Sequence, residues 1–499
     1  MEMKYEPKPF QAEVLDATKE EDNHALFLDP GLGKTKIVLD NAFWLYAQGK
    51  LDGLLVLSHI SVAENWLTNE VPKHKWENCR VLLYGSSTPA SKTKALMGDK
   101  MFNILLTNKE TFRSKDHRQN FTRLLRSGRW MLCVDESTCI KNPQAIQTKG
   151  VLAVGKDAAY RRILSGEPMT NSPLDLLGQY KFIMPETFGK MSKTQFITNF
   201  CEVTPKRYGG RQFNEVKGWS VSGKAAFEQL VARCTTRLTK EQAGLNLPPV
   251  HTENVYINLS PEQANLYNSM LNTSKAEIVG KGKIEVDVIV AKLIKLHQIT
   301  SGFLRDEEGV WHDLESPKLH ALIRTINRFE TQPIIIWCNY RRDVERVTEH
   351  LRKITGLGVS RVYGGITGKE RIDELTKFAD GTNTYLVANP QSIGWGLTLT
   401  NACKAIYYSH SYNYELRKQS EDRVHRIGQD APRVDYYNIV AQDTIDQKIV
   451  AAVESKRKEA GSLFQKKTLT ELARSLFGVT MDASTIEDDL LDDLEEENT

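Results

Sequence analysis

Residues Leu28 to Thr35, LDPGLGKT, follow an apolar run, His24 to Phe27, and open an apolar-periodic segment that begins at Lys36. A strand, a glycine-bearing loop and a helix in that order leave few folds open, because the geometry they build is a phosphate cradle. Gly31 and Gly33 let the backbone N–H groups of Gly31, Leu32 and Gly33 turn inward toward a polyphosphate. The helix N-terminus adds partial positive charge, Lys34 can reach the β/γ-phosphates, and the Thr35 hydroxyl can ligate Mg²⁺. Counting back from Gly33, the first glycine of the full phosphate-loop pattern is replaced by Leu28, so the motif is a shortened G-K-T loop. Standing alone, it also fits a glycine turn before an ordinary helix.

From Leu51 onward short apolar runs alternate with longer helical segments: Leu54 to Leu57, Val81 to Tyr84, Ile104 to Thr107, Met131 to Val134 and Ile163 to Ser165. Such alternation predicts a parallel sheet wrapped by helices, with chemistry at the carboxyl ends of the strands. The residues at those ends are polar: Ser58-His59, Thr107-Asn108, Asp135-Glu136-Ser137 and Ser165-Gly166-Glu167-Pro168. Asp135 and Glu136 follow a buried-type strand with no neighbouring cation in sequence, and a metal ion would neutralise them. In a nucleoside triphosphatase Asp135 would hold Mg²⁺ through its water shell and Glu136 would orient and deprotonate the attacking water. An exposed acidic turn is the alternative. Upstream, Gln11 is a candidate adenine reader, because an amide donates and accepts at once; a surface glutamine is the simpler reading.

A chain of 499 residues, 40% hydrophobic and 26% charged, predicts two or three soluble domains. It has no apolar run of about 18 residues and its first residues form no apolar leader, so a cytoplasmic protein without membrane association is expected. Its seven cysteines lie apart, without a C-x-x-C pair, as reduced core residues do. The net charge of +3 conceals an asymmetry: Asp482 to Thr499 carries nine acidic residues and no Lys or Arg, leaving +12 on the preceding residues. A body that basic suits a polyanion, or is a solvated lysine-rich surface. The acidic end reads as a disordered tail, for solubility or for competition with a nucleic acid.

Past Pro185 the alternation stops, and Met184 to Leu247 reads as helices with a basic, glycine-bearing loop, Lys206 to Arg211, near Phe213 and Trp219. Leu247-Pro248-Pro249-Val250 forms a rigid joint, Ser260 caps a helix, and Thr273 to Val286 reads as a flexible loop. A second alternating unit begins at Pro333, with strands Ile334 to Trp337, Tyr385 to Ala388 and Ala405 to Tyr408. Within Gln419 to Gln429, Arg423 and Arg426 stand three apart, so on a helix both point one way and could straddle a γ-phosphate.

LDPGLGKT, VDES followed by CIKN, and RRILSGEPMTNSPLDLLGQY resemble motifs I, II and III of superfamily 2 helicase-type ATPases. The Swi/Snf-like branch is the nearest. Ser392 to Thr400 resembles motif V, and QSEDRVHRIGQ matches motif VI without departure. Departures are Leu28-Asp29-Pro30, Ser137-Thr138 in place of Ala-His, Glu167 in place of Thr or Ser, and Trp395. The resemblance implies an α/β fold of two tandem RecA-like parallel-sheet lobes, residues 1–245 with a helical insertion at about 185–245 and residues 246–465, then a C-terminal helix and acidic tail at 466–499. It implies ATP and Mg²⁺ held by the residues above together with Gly394 and Gly396, and arginine fingers at Arg423 and Arg426. It also implies a monomeric motor on weakly sequence-specific, double-stranded DNA, touched by Ser58, Thr107, Asn108, Trp395 and Thr398. Bare motors of this kind are similar to small bacterial and phage members, which places the chain in bacterial cytoplasm or a phage-infected cell. A strand-separating DNA or RNA helicase and a non-catalytic DNA-binding protein remain open beside it.

Overall fold

The computed structural model describes residues 6–73, 79–85, 88, 91, 93, 96, 101–169, 172–208, 211–280, 286–306, 309–366, 368–393, 398–457 and 464–478. The chain divides into two compact units, Met1–Asn246 and Leu247–Thr499. Among the described residues no helix is long and apolar enough to cross a membrane.

Unit 1 contains β1 (Asn23–Leu28), β2 (Gly53–Ser58), β3 (Cys79–Tyr84), β4 (Phe102–Asn108), β5 (Trp130–Val134), β6 (Tyr160–Leu164), β7 (Cys201–Tyr208), β8 (Arg211–Trp219) and β9 (Thr235–Leu238). Seven of them form a sheet in the order β3-β4-β2-β5-β6-β1-β9, and the pairings between neighbours are parallel. Burial runs through every residue of β2 and β5, as near-continuous apolar strands require when helices cover both faces. All carboxyl ends therefore lie along one edge, and the loops after β1, β5 and β6 start there.

The segment near 185–245 is not a helical insertion. Helices Lys193–Phe200 and Val221–Val231 flank an antiparallel hairpin of β7 and β8, and the segment ends in β9, which joins the main sheet beside β1. The pairing runs from Cys201 opposite Trp219 to Tyr208 opposite Arg211. Trp219 packs on Phe227, their ring centroids 4.9 Å apart.

Unit 2 contains β10 (Val250–Ile257), the short pair β11 (Phe303–Arg305) and β12 (Trp311–Asp313), then β13 (Ile334–Trp337), β14 (Val359–Val362), β15 (Tyr385–Ala388), β16 (Lys404–Tyr407) and β17 (Val434–Ala441). Six make a parallel sheet, β10-β17-β16-β13-β15-β14. Helix Pro261–Gly280 begins at a capping box, Ser260 Oγ accepting from Gln263 N at 3.2 Å and Gln263 Oε1 accepting from Ser260 N at 3.3 Å. It runs through Thr273 to Gly280, where a loop was expected. Helices Val286–Ser301, Ile445–Arg457 and Phe464–Phe477 pack with it, the last through Leu469, Leu472, Leu476 and Phe477, so the described part of the expected C-terminal segment belongs to unit 2. Inside this layer Lys318 Nζ lies 2.5 Å from Asp446 Oδ2, both side chains fully buried. The acidic stretch from Asp482 lies outside the described residues.

Candidate nucleotide site

β1 ends at Leu28, and helix Lys34–Ala47 starts six residues later. The loop between them needs its glycines: Gly31 and Gly33 have φ of 91° and 79°, a region costly for side chains with a Cβ. A Cβ on Gly33 would also collide with the Gln11 amide. Lys34 Nζ donates to Leu28 O at 2.8 Å, folding over the strand end that carries the loop. Leu32 is buried, and its carbonyl accepts from Gln11 Nε2 at 3.0 Å. Gln11 Oε1 accepts from Lys8 N at 2.9 Å, so the buried Gln11 amide lies against the loop with both edges engaged by backbone. Reading an adenine would require exchanging those bonds.

Two strands away, Asp135 follows β5, and its N–H donates to Leu57 O at 2.8 Å. Its carboxylate is clamped on both oxygens: Oδ1 accepts from Glu136 N at 3.0 Å and Oδ2 from the Trp66 indole Nε1 at 2.9 Å. Burial pushes the Asp135 carboxyl above its usual range, opposed by the Trp66 bond and by the charge of Lys34. Glu136 sits at φ 51°, ψ 64°, a left-handed conformation that a non-glycine residue holds only at a cost. The turn after it is fixed by Ser137 Oγ, which donates to Gln179 Oε1 at 2.7 Å, while Gln179 Nε2 donates to Pro168 O at 2.6 Å. Gly166, at the end of β6, packs so closely on Pro30 that a Cβ would stand 2.9 Å from the Pro30 ring. Loops after β1, β5 and β6 are thereby interlocked.

Asp135 and the half-buried Thr35 suit Mg²⁺, which binds through one or two protein oxygens, waters and substrate phosphates. The fit rests on a buried carboxylate that closes no ion pair among the described residues and keeps acceptor capacity beyond its two bonds.

Three expected nucleic-acid contacts are used otherwise. Thr107 is fully buried, and its hydroxyl donates to Tyr84 O at 3.0 Å. Ser58 is 2% exposed and donates to His59 O at 3.1 Å. Asn108 Oδ1 accepts from Thr111 N at 3.3 Å, capping the short helical turn Lys109–Arg113. Polar residues at these strand ends close backbone hydrogen bonds, which the sequence pattern does not separate from ligand contacts. Thr398 is exposed, whereas Gly394, Trp395 and Gly396 lie outside the described residues.

In unit 2, helix Tyr414–Val424 ends just past Arg423, so Arg423 and Arg426 do not share a helix face. They are neighbours in space nonetheless. Burial lowers the Arg423 guanidinium to about 10, and the charge of Arg426 adds to the effect. Arg423 is 6% exposed, and its Nε and Nη1 have no hydrogen-bond partner among the described residues. Gln429, which ends the same motif, is structural: its Nε2 donates to Ala402 O at 2.8 Å and Val424 O at 3.1 Å.

Residues 13–305 match the model of the SNF2-related domain, and residues 317–428 match that of the helicase conserved C-terminal domain. The chain belongs to the SNF2-related family. Among its relatives, YwqA of Bacillus subtilis is 26% identical over 458 residues, covering 89% of this chain and 47% of that protein. The DNA annealing helicase and endonuclease ZRANB3 of Mus musculus is 22% identical, covering 91% of this chain and 40% of that protein. The SNF2-related chain thus spans less than half the length of these curated relatives. The Sulfolobus solfataricus SWI2/SNF2 ATPase core in complex with dsDNA is 24% identical, with a TM-score of 0.41 over 96% of this chain and 98% of that one.

Sequence reasoning missed Trp66 and Gln179. Trp66 has no local signature, because it acts 69 residues along the chain, and Gln179 lies within the motif III stretch without a residue type that marks its bond to Ser137.

Proposed function

We propose that this SNF2-related protein is a Mg²⁺-dependent ATPase that tracks along duplex DNA. The observation that carries the reading is one sheet edge of unit 1. There the loop Gly31–Thr35, Asp135 and Glu136 issue from the carboxyl ends of parallel strands, close enough for the Lys34 charge to act on Asp135. The open N-terminus of helix Lys34–Ala47, with its Lys34, binds the phosphates, and Thr35 and Asp135 hold the cation. Mg²⁺, when bound, neutralises phosphate charge. Glu136 orients and deprotonates the attacking water, and its left-handed backbone fixes the direction of its side chain. In unit 2, Arg423 and Arg426 keep the arginine-finger role that the resemblance implies, which a buried guanidinium with unsatisfied N–H groups at Arg423 supports.

DNA as the track is supported by the relatives' printed activities, such as DNA annealing in ZRANB3, and by the +12 charge that precedes the acidic stretch. Contacts to phosphates would make binding weakly sequence-specific and strongly salt-dependent. A monomer suffices for such a motor, and cytoplasmic residence fits the reduced cysteines.

Turnover measured against single-stranded DNA, duplex, forked DNA and RNA, with triplex displacement alongside fork release, tests the reading. Stimulation by duplex and ATP-dependent displacement of a third strand, with no release from the fork, is the expected set. Release from the fork without triplex displacement would make the protein a strand-separating helicase, and absence of turnover on every substrate would make it a non-catalytic binder.

A further inference from the structure

Trp66 is 1% exposed and opens a five-residue π-helical segment, Trp66–Glu70, between helix Ile60–Asn65 and the turn Val71–Lys73. Such insertions are rare and recur at functional sites. This one follows the carboxyl end of β2 and aims the indole N–H at Asp135 Oδ2, at 2.9 Å. The other oxygen is already held by Glu136 N, so the indole supplies the second fixed point that stops the carboxylate rotating. An indole N–H donates only, leaving the remaining lone pairs of both oxygens for water. Glu70, one turn further on, is also near enough to act electrostatically on Asp135.

We propose that Trp66 is a positioning residue for the nucleotide's divalent cation: its N–H sets the orientation in which Asp135 receives the hydrated Mg²⁺. The inference rests on reading the Gly31–Thr35 loop and Asp135 as a Mg²⁺-nucleotide site. Partners that orient a metal-binding carboxylate typically change metal affinity about 10–100-fold when removed. A purely structural indole would instead weaken folding and leave cation dependence alone.

The full-length chain is compared as wild type, as Trp66→Phe, and with β-(3-benzothienyl)alanine at position 66, a sulfur isostere that keeps the shape of tryptophan and lacks the N–H. Binding of a fluorescent ADP is titrated with Mg²⁺, and Mn²⁺ binding in the presence of ADP is followed by electron paramagnetic resonance. The expected result is a rise of about 10-fold in the Mg²⁺ and Mn²⁺ midpoints, with cation-free ADP affinity unchanged. Midpoints within about twofold of wild type in the folded isostere variant, or an equal loss of ADP binding with and without Mg²⁺, overturn the proposal. Failure of Trp66→Phe to fold leaves the isostere to decide. Wild-type protein whose ADP binding ignores Mg²⁺ would instead sink the underlying reading of the site.

Discussion

Replacing Arg423 by methionine should stabilise the ligand-free protein while abolishing turnover. The side chain is 6% exposed, two of its nitrogens lack partners among the described residues, and burial with Arg426 nearby brings it down to about 10. A lowered folded-state value means that the cation is disfavoured in the native state. The folded protein binds the proton less tightly than the unfolded chain, so stability rises with pH as the folded group titrates near 10 and is at its low plateau at neutral pH. The penalty at neutral pH is about 3 kcal/mol, at about 1.4 kcal/mol per tenfold change in proton affinity. Methionine fills a similar volume without charge, so it removes that penalty. Unit 2 should therefore melt about 6–12 °C higher, while turnover falls by about 10³ or more. Urea unfolding without nucleotide, followed by tryptophan fluorescence, gives the first quantity and steady-state phosphate release the second. A variant less stable than wild type would show that the guanidinium is already paired in the free protein, and wild-type turnover would remove Arg423 from the anion-binding role.

Gln179→Leu should cost about 1–3 kcal/mol, because Ser137 Oγ and Pro168 O lose their buried partner. Adding Ser137→Ala should return about 1 kcal/mol of that loss, read as the coupling in a double-mutant cycle of urea midpoints. Lys318→Met should destabilise unit 2 by about 3–5 kcal/mol at neutral pH by stranding the Asp446 charge. Burial alone would raise Asp446, yet Lys318 and the neighbouring histidines hold it down to about 2. The stability it lends is complete above the ordinary carboxylate range and lost as pH falls through about 2, so the variant's deficit should shrink in urea titrations from pH 7 to pH 3.

What the sequence disclosed was whatever fits in a short window. Gly31, Gly33, Lys34 and Thr35 announce their geometry through residue type, and Asp135-Glu136 through two carboxylates after an apolar strand. Strands Ile334–Trp337 and Tyr385–Ala388 were legible because buried parallel strands are uniformly apolar. β9 was not: Thr235-Thr236-Arg237-Leu238 carries no apolar run and owes its place to pairing with β1. Thr107 and Ser58 were read as ligand contacts because a polar side chain at a strand end looks the same whether it faces solvent or a neighbouring carbonyl. The arginine pair was found by spacing, but the helix was extended two residues too far, since the turn at Arg426 is set by Gly428 and by Gln429 bonding back to Val424.

The pairing of β1 with β9 has a consequence for the nascent chain. Ala25 meets Thr235, so β1 is made before the other strands of its sheet and is the last of them to be flanked on both sides. At about 5–20 residues per second, the ribosome needs roughly 10 to 40 s to make the intervening polypeptide. After β6 has paired and until β9 is made, β1 offers one row of unpaired N–H and C=O groups to any extended segment nearby. A fragment ending before Thr235 would make that exposure permanent. Shortened versions of unit 1 should therefore precipitate when cut ahead of β9 and stay dispersed when cut after Leu238.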